Sequence, residues 1–104
     1  MPDELIDLAD VDRLIHEPAR LMIVSLLYAV EKADFLYLLH ETGLTKGNLS
    51  AHLSKLEAAN YVYIQKTFQG KIPQTLISLS PTGREAFESY REQLKKLVNR
   101  ISRA

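Results

Sequence analysis

The stretch from Asp34 to Ala59 constrains the fold of this chain more than any other part of it. Two short segments with helical spacing lie there on either side of a single glycine, Gly43. Asp34 is placed to cap the first of them, FLYLLHET, because a carboxylate at that point accepts N–H bonds that the first helical turn leaves open. Gly43 ends this helix at the position where the backbone turns left-handed. Leu44 leads on to Thr45, a second N-cap, and to a helix running to about Ala59. The apolar stripe of that helix is Leu49, Leu53 and Leu56, spaced four and three, so one side is buried and the other is free. Two short helices joined by so tight a glycine turn make a helix-turn-helix.

The flanking segments extend this pattern. Leu8, Val11 and Ile15 fall at helical spacing with Leu14 beside them, which predicts a short helix within the first fifteen residues. Pro18 breaks the chain and suits the first turn of a new helix to about Val30. Leu21, Met22, Ile23, Val24, Leu26 and Leu27 make that helix apolar on most sides, so it is expected to be the most buried element. The period changes at Tyr61. Val62 and Ile64 alternate with Tyr63 and Gln65, which predicts a strand to about Phe68, a turn over QGKIP and a return strand over QTLISL. Ser80 and Pro81 form an N-cap with proline at N1, opening a last helix to about Ile101, ~32 Å long at 1.5 Å per residue. The fold class is mainly α with a small β-hairpin (α+β). It is expected to form one domain over 1–104, with the helix-turn-helix at 34–59, the hairpin at 61–79 and the last helix at 81–101.

Composition narrows the chemistry. Apolar residues make up 46% of the chain, enough for one core and too few for a large internal cavity. There is no cysteine, which excludes disulfides, thiolate metal sites and thiol redox sensing. The N-terminal MPDELIDLAD is acidic and lacks the apolar region of a signal peptide, and no run is long and apolar enough to span a bilayer. A soluble, cytoplasmic protein is expected. The net charge is zero, but it is unevenly spread: residues 1–44 carry three basic and nine acidic side chains, residues 45–84 five basic and one acidic, and residues 85–104 five basic and three acidic. A polyanion feels the field within a Debye length of ~8 Å rather than the total. The middle of the chain therefore suits phosphates.

In a helix-turn-helix the second helix enters the major groove of a duplex, with its N-terminal residues at base edges. Here those residues are Thr45, Lys46, Gly47 and Asn48. Asn pairs with adenine in two hydrogen bonds, Lys donates to guanine, and a glycine lets backbone approach closely. Ser50, Ala51 and Ser54 leave room for a groove wall. Lys55 is placed for a phosphate, and His52 for a phosphate or water. A polar outer face is the norm for helices, so this face alone is an ordinary solvated surface. What sets it apart is the lack of any acid before Glu57 in a chain otherwise rich in acids. Lys66, Gln69, Lys71 and Gln74 bracket the hairpin tip, again without an acid. Such a ribbon lies along a backbone or enters a minor groove.

These segments resemble the winged-helix domain of small bacterial and archaeal transcriptional regulators of the MarR and ArsR types. The resemblance is carried by GLTKGNLSAHLSKLE, ANYV and LSPTGREAF, with EPARLMIVSLL similar to the first helix. It implies a winged helix-turn-helix in which Thr45 to Lys55 meet DNA and Lys66 to Gln74 form the wing. Two departures stand out. The MarR type often has an Asp-x-Arg pair in the wing, whereas this wing has no arginine. The ArsR type often senses metals through cysteines, which are absent here.

Phe87, Tyr90, Leu94, Leu97 and Ile101 are spaced 3, 4, 3 and 4, a heptad seam with Val98 beside it. This stripe exceeds what so short a fold covers, so Tyr90, Leu94, Leu97, Val98 and Ile101 are expected to form a homodimer contact, centred on Leu94, Leu97 and Ile101, with the alternative that Phe87 and Tyr90 fold back on their own domain. A two-fold dimer would set two recognition helices one turn of duplex apart, on a pseudo-palindromic site. An enzyme is disfavoured: Ser50 and His52 are two apart on a helix and point different ways, and His16, His40 and His52 lack metal-ligand spacing. No cofactor, metal or effector ligand is indicated. The alternative is a winged-helix protein–protein interaction module, which the zero net charge favours.

Overall fold

Proline at position 18 sets where the first helix begins. It lacks an N–H and fits N1 without loss, while Glu17 takes an extended backbone (φ −148°, ψ 131°) and its carboxylate accepts the N–H groups of Ala19 and Arg20. The computed structural model describes residues 11–103. Among them are four helices, α1 (Pro18–Ala29), α2 (Phe35–Thr42), α3 (Lys46–Ala58) and α4 (Pro81–Arg103), and three strands, β1 (Ala33–Asp34), β2 (Val62–Gln69) and β3 (Ile72–Leu79). Most of the helix expected in the first fifteen residues lies outside the described residues. Within them, Asp12 accepts the N–H groups of Leu14 and Ile15 at 2.9 and 3.1 Å and folds a single turn that drives Ile15 fully into the core.

The helix-turn-helix forms where the caps place it. Asp34 Oδ1 accepts the Leu36 N–H at 2.6 Å, and Gly43 ends α2 in the left-handed region (φ 69°), its N–H bonding Leu39 O at 3.1 Å. Thr45 Oγ1 accepts the Asn48 N–H at 3.1 Å. Leu49, Leu53 and Leu56 of α3 meet Ile23, Val24 and Leu27 of α1, all buried, in one core that also takes Leu38, Val62, Ile77 and Phe87.

The sheet differs from expectation in two ways. A third strand is present: β1 pairs with β3, Ala33 opposite Ile77 and Asp34 opposite Leu76, giving the order β1-β3-β2. Two residues are too few for alternation to show, so only Ala33, buried under the sheet edge, betrays it. The hairpin turn is also tighter than QGKIP. Gln69 pairs with Ile72, leaving Gly70 and Lys71 as the whole turn. Gly70 has φ 65° at the first central position, as a type II′ turn requires. Pro73 sits within β3, where β1 no longer flanks the strand, and an edge tolerates its missing N–H.

The wing's base and the start of α4 are locked together. Ser80 N–H bonds Tyr61 O at 2.9 Å, its Oγ donates to Asn60 O at 2.5 Å, and the same Oγ caps α4 by accepting the Gly83 N–H at 2.9 Å. Asn60 reaches this point through a left-handed backbone (φ 63°). α4 then runs ~35 Å at 1.5 Å per residue, so the molecule is elongated at 58 × 24 × 21 Å. Its early part is core. Phe87 and Tyr90 are buried, and Tyr90 OH lies 2.7 Å from His16 Nδ1. Tyr90 therefore leaves the seam assigned to it: at 2% exposure it is already buried within its own chain. No helix among the described residues is long and apolar enough to cross a membrane.

Gly83 is the tightest point of this junction. A Cβ there would fall 2.1 Å from Tyr61 O, and backbone on both sides must move to admit it. Gly83→Ala is expected to destabilise the fold by about 1–3 kcal/mol or more, read in thermal unfolding as roughly 4–8 °C per kcal/mol. An unchanged melting temperature would show that α4 does not rest on Tyr61.

Candidate nucleic-acid interface

The exposed side of α3 follows from the burial of its other side. With Leu49, Leu53 and Leu56 held in the core, Thr45, Lys46, Gly47, Asn48, Ser50, Ala51, Ser54 and Lys55 are all exposed. The first turn contains no acid, and the N-terminal N–H groups and the helix dipole add positive potential there. Nothing lies within 4 Å of a Cβ built on Gly47, so this glycine answers no packing demand inside the protein.

His52 is the exception on this helix. It is half-buried, with Nδ1 3.1 Å from Arg20 Nη1 and 3.4 Å from Glu17 Oε2. A guanidinium has only donors, so Nδ1 accepts this bond. Arg20 is itself pinned, its Nε donating to Leu14 O at 2.6 Å. His52 thus ties the middle of α3 to the start of α1 instead of projecting outward. At Glu17, burial raises the carboxyl pKa, but the Ala19 and Arg20 N–H groups and then the nearby Arg20 charge outweigh it, and the value ends below the ordinary one.

The wing presents the second basic surface. Lys66, Gln69 and Lys71 are exposed. Gln74 is not free: its Nε2 donates to Asp34 Oδ2 at 3.0 Å, tying β3 to the cap of α2. This bond, followed by the Leu36 N–H, holds the Asp34 carboxyl below its usual range. Between wing and α3 lies an open groove of about 690 Å³, walled by Ser50, Leu53, Ser54 and Glu57 on one side and Ile64, Lys66 and Thr75 on the other, with Phe35 at its edge. Two basic projections with a groove between them can straddle a phosphate ridge.

The chain matches the family described as winged helix DNA-binding domain over residues 19–98. It belongs to that family. An uncharacterized protein of Methanocaldococcus jannaschii is 34% identical over 90 residues, covering 86% of this chain and 97% of that one. The solved structure of a transcriptional regulator homologue protein from Pyrococcus horikoshii OT3 is 26% identical with a TM-score of 0.86, covering 96% of this chain and 98% of that one. NolR from Sinorhizobium fredii is 25% identical with a TM-score of 0.63, over 86% and 83% of the two chains. In this winged helix, α3 is the second helix of the helix-turn-helix and β2–β3 the wing, in a family of DNA-binding domains and not of enzymes.

Sequence reasoning missed three features of the site. The Glu17–Arg20–His52 tie joins residues 35 positions apart, and no local pattern marks it. The Gln74–Asp34 bond depends on β1. Phe68, Ile72 and Pro73 are exposed at the wing tip, and for Phe68 the alternation of β2 was a usable signal, since the even-numbered face of that strand runs past the core.

Glu17 both caps α1 and holds Arg20, whose Nη1 lies 3.5 Å from Glu17 Oε2 and 3.1 Å from His52 Nδ1 of α3. Glu17→Ala is expected to cost ~1 kcal/mol at neutral pH, the usual worth of a cap. Because the folded-state pKa is depressed, this stability is present above the unfolded value and is lost as pH falls through the folded one. Unfolding curves of the two proteins should converge in acid, and a gap that persists there would contradict the role of the carboxylate charge.

Proposed function

We propose that the protein is a transcriptional regulator that binds a pseudo-palindromic duplex site as a homodimer, with α3 in the major groove and the wing on the flanking backbone or minor groove. The observation that carries this reading is the exposed, acid-free N-terminal half of α3 beside a basic hairpin. Thr45, Lys46, Gly47 and Asn48 are the base-edge set, with Ser50, Ala51, Ser54 and Lys55 along the groove and Lys66, Gln69 and Lys71 on the wing. His52 and Gln74 act from within, by holding α3 and β3. The regulator homologue from Pyrococcus horikoshii, similar over nearly the whole chain, supports the same reading.

The dimer rests on α4 beyond the core. Leu94 and Leu97 are half-buried, while Val98 and Ile101 are 58% and 66% exposed. They share one stripe at i, i+3, i+4 and i+7, the seam of two paired helices. Such a pair relates the two recognition helices by a two-fold axis.

Selection from a random duplex library is expected to enrich an inverted repeat. Lys46→Ala and Asn48→Ala should alter the preferred bases by ~1–3 kcal/mol of discrimination, while Lys71→Ala weakens all sequences alike and lowers the salt slope by about one. Failure to bind any duplex at low salt would sink the reading in favour of a protein-binding module.

Leu97→Lys sets a charge in the seam, where it is strongly unfavourable if buried without a partner. Sedimentation should find a folded monomer. A variant that remains dimeric, or that unfolds, would place the subunit contact elsewhere.

A further inference from the structure

The hairpin outruns the core that supports it. Val62 and Ile77 are buried and Ile64 half-buried, but the four pairs from Lys66–Thr75 to Gln69–Ile72 extend beyond them. That is ~14 Å of ribbon at 3.4 Å per residue, against a minor groove ~7.5 Å deep. The tip is apolar where a solvated hairpin would be polar. Phe68 and Ile72 are 69% and 70% exposed, and Pro73, paired with Phe68, is exposed too. Strand alternation puts Phe68 on the face that carries Ile64 and Lys66, and those two wall the groove next to Ser50 and Ser54 of α3. Phe68 and its partner Pro73 are therefore continuous with the exposed side of the recognition helix, while Ile72, opposite Gln69, covers the other face of the tip.

Charge selects the occupant. No acidic residue lies between Glu57 and Glu85, and Lys66 and Lys71 flank the apolar side chains. Cations around an apolar point fit a polyanion with a stacked apolar interior. Phe, Ile and Pro are the side chain types that wedge between base steps from the minor groove, with kinks of about 20–90° toward the major groove. We propose that the tip formed by Phe68, Ile72 and Pro73 is such a wedge: it enters the minor groove beside the half-site, Lys66 and Lys71 hold the phosphates on either side, and one base step is partly unstacked and bent. This rests on the reading that the chain binds duplex DNA and adds a deformation to it. Part of the specificity then comes from how easily a step kinks, with flexible pyrimidine–purine steps favoured at a position that no side chain reads.

The test uses the full chain with the duplex recovered by selection, or a short A·T-rich duplex if none is recovered. 2-Aminopurine placed at each step flanking the half-site reports unstacking, and dyes at the duplex ends report bending by energy transfer. The expected result is a rise in 2-aminopurine emission at one step per half-site together with a shortened end-to-end distance. Phe68→Ala/Ile72→Ala should abolish both signals while still binding, because these side chains are exposed and their loss leaves the core intact. Lys71→Ala should bind more weakly yet keep both signals when saturated. Wild-type binding without emission change or bending overturns the wedge and leaves the DNA reading standing. Absence of binding to every duplex at low salt overturns both. Binding to phosphatidylserine vesicles that depends on Phe68, without duplex binding, would assign the tip to a lipid surface and likewise overturn the proposal.

Discussion

Two adjacent carbonyls, those of Asn60 and Tyr61, hold this molecule's functional parts in one frame. Asn60 O receives the Ser80 hydroxyl, and Tyr61 O receives the Ser80 N–H and lies against Gly83. From the other side, Tyr61 OH donates to Asp12 Oδ2 at 2.6 Å, and burial, followed by this bond, pushes the phenol up to about 12. The exit of α3, the base of the wing, the first turn of α4 and the N-terminal segment therefore meet within a few ångströms. Each direction that matters for straddling a duplex is measured from this junction. A left-handed asparagine, a serine whose N–H and hydroxyl together make three hydrogen bonds and a glycine with no room for a methyl group are what such convergence requires.

The helices were legible because each announces itself locally. Asp34, Thr45 and Ser80 stand before apolar periods, Gly43 stands after one, and Pro18 and Pro81 occupy first turns, so propensity, capping and burial agree. What escaped was set by distance in the chain. β1 has no pattern of its own and exists only because β3 offers an edge to Ala33 and Asp34. His52 looked like an outward polar residue because Arg20 and Glu17 lie more than thirty positions away. Tyr90 fits a heptad and also the gap beside His16, and the spacing of a helix cannot choose between a neighbour in the same protomer and one outside it. For the candidate site, the recognition face was readable from one stripe of leucines. The wing was readable as a hairpin and as basic, but its apolar tip was concealed by placing the turn too widely.

The zero net charge has a structural explanation. Several acids of the N-terminal half are committed to internal bonds: Asp12 to two N–H groups and Tyr61, Glu17 to the start of α1, Asp34 to α2 and Gln74. They cap helix ends and accept the hydroxyl of the half-buried Tyr61, so their charge is largely answered where it sits. The cations of α3 and the wing have no such partners among the described salt bridges. Formal charge therefore cancels over the chain while the outward field of one face stays positive.

The hairpin's pairing up to its last residue before the turn bears on the thermodynamics of association. Strands that stay in register to Gln69 and Ile72, closed by two residues, leave no loop to be ordered when a partner arrives. The conformational entropy of this projection is settled during folding, so contact at the tip draws little on the free energy of the encounter. Association through a stiff ribbon is expected to show the heat-capacity signature of the surface it covers and little of the excess that accompanies coupled folding.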